Sequence, residues 1–218
     1  MSKLVAPHGG KGLVCALLEG AEREAELKKA AGLKQIEITD RAKGDLIMLG
    51  IGGFSPLTGF MNKADWKGVC ENFQMADGTF WPVPITLDVT AEDAAGIKVG
   101  DEIALVGKKG TTYATMKVEE KYEMTDADKR WECEKVFMGE GEESVDGKFW
   151  EIAPKDHPGV IMVMAQKDVN LAGPVKVLSE GEYPQEYPGV YLKPAETRAM
   201  FDERGWANVA ALQLRNPM

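Results

Sequence analysis

The period of the apolar positions changes several times along the chain, and each change marks an element. Leu13, Val14, Ala16, Leu17, Leu18, Ala21, Ala25 and Leu27 mix with charged residues among strong helix formers, which predicts a helix over residues 13–31 ending near Gly32. Residues 34–39 alternate, with Ile36 and Ile38 on one face, as in a short strand. Asp40 is placed to cap a helix running to about Leu49. Asn62 is placed to cap another through Asn72, where Asp65 complements the positive helix end. Between them, residues 50–60 are too glycine-rich for a regular element and too apolar for a disordered loop.

From Phe80 to Ile161 the pattern turns β-like. Residues 83–89, 102–106, 113–118 and 160–164 read as strands, punctuated by turns at Lys109-Gly110 and Val99-Gly100-Asp101. Residues 125–137 read as one inserted helix. After about residue 170 the grammar changes. Pro184 and Pro188 break regularity, and Pro194 opens a helix that carries Met200 and Phe201 and stops at Gly205. Residues 208–214 form a nearly unbroken apolar run, suited to a buried strand of a parallel sheet. The predicted fold is therefore mixed. A mostly β domain with flanking helices spans 1–170, and the start of an α/β domain spans 171–218. One strand cannot bury the faces of such a sheet, so more chain is expected.

Composition narrows the function classes. The 218 residues are 44% hydrophobic and 28% charged, with 26 Lys plus Arg against 35 Asp plus Glu and a net charge of −9. That balance opposes binding to nucleic acid or an anionic membrane, yet leaves room for a small anion in a cleft with one or two arginines. No apolar run reaches the roughly 20 residues of a membrane span, and residues 12–18 lack a signal-peptide cleavage site, so a cytoplasmic location is expected. Cys15, Cys70 and Cys133 are odd in number and widely spaced, and read as reduced thiols. With only His8 and His157 beside them, no metal site is expected.

Gln213-Leu214-Arg215-Asn216-Pro217 is the sharpest chemical feature. If residues 208–214 form a strand, these groups sit beyond its carboxyl end, where open α/β sheets bind ligands. Arg215 offers a rigid fork of donors to a tetrahedral oxyanion, Gln213 and Asn216 add neutral groups, and Pro217 holds Asn216 extended. An arginine in a solvated loop is the competing reading of the same residues.

This segment resembles the Gln-x-Arg-Asn-Pro segment of ATP sulfurylases (sulfate adenylyltransferases). The resemblance extends through Pro7-His8-Gly9-Gly10, the stretch from Gly53 to Met61, Pro84-Ile85-Thr86-Leu87, His157-Pro158-Gly159-Val160, and Pro194-Ala195-Glu196-Thr197-Arg198 with Gly205-Trp206, all in family order. It implies an N-terminal mostly β, PUA-like domain followed by a catalytic α/β domain of nucleotidyltransferase type. It implies transfer of the AMP portion of MgATP to sulfate, giving adenylyl sulfate and pyrophosphate reversibly, with Mg2+ bound to ATP. Gln213 and Arg215 would bind sulfate, and Arg215 and Asn216 would face the ATP phosphates. Leu214, where many members carry Thr, would position through its backbone. A homo-oligomer is also implied. The family's His-x-x-His and later loop are absent from these residues, so the chain by itself should lack the activity. A PUA-like binding or oligomerisation module without catalysis is the rival reading.

Other features have plainer readings. Gly9, Gly10 and Gly12 with Lys11 lack Walker spacing and a preceding strand. Residues 52–56 read as a structural loop with Phe54 and Phe60 packing, and Ser55 lacks a nucleophile elbow. His157 reads as satisfying a local hydrogen bond at a strand start. Glu140, Glu142 and Glu143 read as a solvated acidic loop.

Overall fold

A computed structural model describes residues 4–10, 12–137 and 157–211. Its strands are β1 (Lys34–Glu37), β2 (Gly59–Phe60), β3 (Leu87–Val89), β4 (Glu102–Val106), β5 (Thr112–Lys117), β6 (Glu120–Glu123) and β7 (Val169–Val177). Its helices are α1 (Gly20–Ala30), α2 (Asp40–Ile51), α3 (Lys63–Asn72), α4 (Ala91–Ala95), α5 (Asp126–Phe137), α6 (Pro158–Met164), α7 (Tyr183–Glu186) and α8 (Pro194–Glu203).

The nine residues of β7 organise everything else. Its first half lies between β3 and β6, with Asn170 opposite both Asp88 and Tyr122. Its second half lies between β2 and β5, with Phe60 opposite Gly173 and Thr115 opposite Lys176. The change of partners falls at Gly173, whose φ of +146° brings its backbone against the Lys117 carbonyl. The sheet then continues through β4 to β1, which pairs parallel to β4. A strand that serves two sets of partners must twist, and the result is a curled mixed sheet. Residue 170, where the sequence grammar changes, lies inside this strand. Helices hold more of the described residues than strands do, so the β character belongs to the sheet rather than to the whole chain.

One large core fills the sheet's inner side, with Ile36, Leu46, Leu49, Leu105, Met116 and Val177 among its buried members. A second, around Trp66, Cys70, Tyr122 and Met124, lies under α3 and α5. Cys133, Val160 and Val163 join α5 to α6.

Several predicted elements hold. β1, β4, β5 and α5 fall where the pattern placed them, and Asn62 caps α3 by accepting from the Asp65 amide at 2.8 Å. Others are corrected. Residues 13–18 are extended rather than helical, because the amides of Ala16, Leu17 and Leu18 donate to the carbonyls of Leu49, Gly50 and Val177. Those distant acceptors outweigh local helix propensity. The cap of α2 is Thr39, accepting from the Ala42 amide, and Asp40 is the first helical residue. Residues 83–86 carry no strand; only Leu87–Val89 pair.

Residues 160–164 are helix, not strand. His157 caps α6, Pro158 occupies its first turn, and burial recurs at Val160 and Val163 while Ile161 and Met162 stay exposed. His157 does make the expected local hydrogen bond, from the Gly159 amide at 3.1 Å, but at a helix start. Of the predicted strand over 208–214, residues 208–211 are exposed and in no strand, since no described strand lies beside them to pair with, and residues 212–214 lie outside the described residues.

Candidate functional site

The predicted anion ligands Gln213, Leu214, Arg215 and Asn216 lie outside the described residues, as do Glu140, Glu142 and Glu143. The structure describes the chain as far as residue 211, ahead of that segment. After β7 the chain runs as a strap over residues 179–193 and then enters α8. Pro194 stands at the first helical position, where no amide is needed. Glu196 accepts from the Lys193 amide at 2.7 Å, the returning half of a capping box. The helix carries Met200 and Phe201 and gives way at Gly205, whose φ is +68°, as its sequence predicts.

Polar contacts fasten the strap to the body of the fold. The Lys43 ammonium on α2 lies 2.6 and 2.8 Å from the two carboxylate oxygens of Glu182, and 5.6 Å from the ring centres of both Tyr113 and Tyr183. The Glu182 contact holds the Lys43 pKa above the usual lysine value, against the opposing effect of desolvation, and the same contact lowers that of Glu182. At the far end Lys193 meets Glu19 at 3.2 Å and Glu180 at 3.3 Å, while the Tyr191 hydroxyl donates to Glu180. Arg198 on α8 donates to the Val5 carbonyl at 2.8 Å.

A cleft of about 510 Å³ opens beside the Lys43 contact, lined by Thr39, Lys108, Tyr113, Ser179 and Glu182. Lys43, Lys108 and Lys109 face Asp40, Glu182 and Glu186 there, and Lys108 already meets Asp40 at 3.3 Å. Charges so balanced do not concentrate an anion. Among the described residues, no group of three or more His, Cys, Asp or Glu side chains is placed to hold a metal ion.

The remaining sequence markers converge on packing. His8 lies within hydrogen-bond distance of the Phe80 carbonyl and beside Trp81, and Phe54 meets Trp81 edge-on at 5.7 Å. Ser55 is buried, with its hydroxyl donating to the Gly52 carbonyl and accepting from the Val14 amide. Phe60 is in the main core. Met61 and Ile85 are joined by the Met61 amide and the Ile85 carbonyl at 2.9 Å. So the glycine-rich stretch is a structural loop, as its plainer reading held, and it brings three of the markers together. The strap contacts had no local sequence signal: Lys43 and Glu182 are 139 residues apart, Glu19 and Lys193 174.

Comparison with known proteins divides the chain at the same strap. The family model described as a PUA-like domain matches residues 5–180, and that described as ATP-sulfurylase matches residues 188–218. A sulfate adenylyltransferase of Desulfovibrio desulfuricans is 72% identical over 218 residues, covering 100% of this chain and 51% of that protein. Those of Chlorobaculum tepidum and Entamoeba histolytica are 53% and 48% identical, over 99% and 100% of this chain. The chain thus spans about half the length of the curated relatives it matches. Among solved structures, a hexameric APS kinase from Thiobacillus denitrificans superposes with a TM-score of 0.71 at 27% identity, covering 99% of this chain and 35% of that one. No described helix is long and apolar enough to cross a membrane.

Proposed function

The chain belongs to the PUA-like domain family through residues 5–180, and on that footing we propose that it serves as the PUA-like unit and opening catalytic segment of a sulfate adenylyltransferase. The observation that carries the proposal is the ATP-sulfurylase match over residues 188–218, which takes in Gln213, Arg215 and Asn216. A relative of that name at 72% identity supports it. On this reading the residues from about 188 begin an α/β domain of nucleotidyltransferase type, located in the cytoplasm.

The reaction sets the demands on the site. A sulfate oxygen attacks the α-phosphorus of MgATP. The bond from that phosphorus to the bridging oxygen breaks, and pyrophosphate leaves with the electron pair. Mg2+ arrives with the ATP phosphates as part of the substrate. Sulfate is a poor nucleophile and both reactants are anions, so the protein's task is to offset repulsion and align them. No covalent enzyme intermediate is needed. Gln213 and Arg215 hold sulfate, Arg215 and Asn216 face the ATP phosphates, and Leu214 positions them through its backbone. Each charge-assisted bond from Arg215 contributes about 1.5–3 kcal/mol.

In a longer protein carrying the rest of the domain, Arg215→Ala is expected to abolish pyrophosphate release while leaving the fold intact. Activity within about tenfold of the unaltered protein would refute the role. The 218-residue chain alone should show no turnover, and robust release of pyrophosphate by it would refute the division of the site. Self-association is a second role for the PUA-like unit, favoured by the hexameric state named for the APS kinase structure. Sedimentation of the chain at micromolar concentration tests it, and a monomer would count against it.

A further inference from the structure

α8 is held to the rest of the fold in an unusual way. Among the described residues none of α8 is buried, and its apolar side chains Pro194, Met200 and Phe201 are only half-buried, so little apolar packing sets its angle. Its placement falls to polar ties, and the densest of these meet at Lys193. The backbone of Lys193 is the N-cap of α8, donating to Glu196. Its side chain turns back and meets Glu19, which immediately precedes α1, and Glu180, which follows β7. Glu180 is itself fixed from the other side by the Tyr191 hydroxyl at 3.1 Å. Arg198, one turn into α8, adds the tie to the Val5 carbonyl. One ammonium therefore ties Glu180 and Glu19, the latter 174 residues away, to the N-cap of the helix.

Exposed ion pairs add little to global stability, because solvent screens them and ordering long side chains costs entropy. Geometry is a different matter. Two carboxylates on a partly covered lysine, with one carboxylate pinned by a tyrosine, restrict the lysine far more than either pair alone. The side chains of Lys193 and Glu180 are 28% and 18% exposed, so both are largely sheltered.

We infer that Lys193 is a positioning residue for adenylyl transfer: held by Glu19 and Glu180, it fixes the start of α8 and so the direction in which the chain proceeds toward Gln213 and Arg215. The inference rests on the reading of those residues as sulfate and ATP ligands. It assigns Lys193 no contact with substrate. Displacing an aligned site by even an ångström costs turnover steeply while leaving ground-state binding largely in place.

The experiment uses the longer protein and compares Lys193→Met, which keeps the stem and removes the charge, with Lys193→Arg. For Lys193→Met, kcat should fall about tenfold or more with KM for ATP and sulfate changed less than about threefold. The melting temperature should move by less than about 2 °C. Amides in α8 should exchange faster, and Lys193→Arg should restore both kcat and protection. A kcat for Lys193→Met within about twofold of the unaltered protein, or equal losses in the two variants, would overturn the inference. An unaltered longer protein without adenylyl transfer would instead bring down the reading of the site beneath it. The exchange of α8 separates the cases, because unchanged protection in Lys193→Met removes the tie itself whatever the activity.

Discussion

The indole nitrogen of Trp66 donates to a carboxylate oxygen of Glu132 across 2.7 Å, and that bond joins α3 to α5 over the second core. Glu132 is 4% exposed, and desolvation raises its pKa while Trp66 and Arg41 draw it back down. Removing the donor leaves a buried carboxyl with less support for its charge.

Trp66→Phe should therefore destabilise by about 2 kcal/mol at pH 8, from the lost bond and the smaller ring. The loss should shrink toward acidic pH, where Glu132 is protonated and the missing donor matters less. Urea unfolding at two pH values checks this. A loss that grows on acidification would contradict the role given to the bond.

Asp45, on α2, contributes a pH dependence of its own. Burial lifts its pKa from near 3.8 to about 6, against the pull of Arg41. Between those values the folded protein holds a proton that the unfolded chain has released, so stability falls as pH rises through the window and levels off above it. Asp45→Asn removes the ionisation. It should raise stability at pH 7.5 by up to about 3 kcal/mol and do so much less at pH 4. Equal effects at both pH values would show that Asp45 does not titrate in this way.

What could be read from sequence alone was the local part. Asn62 and Pro194 declare helix starts through chemistry confined to one turn, and both hold. The errors have a shared cause, competition from groups the sequence does not place nearby. Residues 13–18 are rich in helix formers, but the carbonyls of Leu49, Gly50 and Val177 capture their amides. The run from Val160 to Met164 suits strand or helix equally, and His157 with Pro158 decides for helix. For the site, Gln213 to Asn216 supported an anion reading by residue chemistry, and only resemblance across ordered markers gave it a reaction. The ties at Lys43 and Lys193 were invisible, because each depends on carboxylates brought in by the completed fold.

The three thiols should separate cleanly. Cys15 is exposed, whereas Cys70 and Cys133 are buried. Burial pushes the Cys70 thiol far up and that of Cys133 to about 11, so neither forms a reactive thiolate near neutrality. An aromatic disulfide reagent at pH 8 should titrate one thiol in the native chain and all three in denaturant. Rapid native reaction of more than one would contradict this burial.

The tightest backbone approach in the sheet gives the most demanding prediction. A Cβ at Gly59 would lie 2.0 Å from the Gly173 carbonyl oxygen and 2.8 Å from the Pro174 Cα. Both obstacles are backbone, so no side chain can turn aside to admit it. Gly59→Ala must push β2 away from β7, and Phe60, only 3% exposed, loses its place in the main core with it. The cost should reach about 3 kcal/mol or more. Gly44 provides the control, being interior to α2 with nothing within 4 Å of an added Cβ. There, alanine should be neutral or stabilise by about 0.5–1 kcal/mol, because it favours helix and restricts the unfolded chain. Denaturant midpoints of the two variants decide the matter. If Gly59→Ala loses no more stability than Gly44→Ala, β2 does not pack against β7 as closely as its register requires.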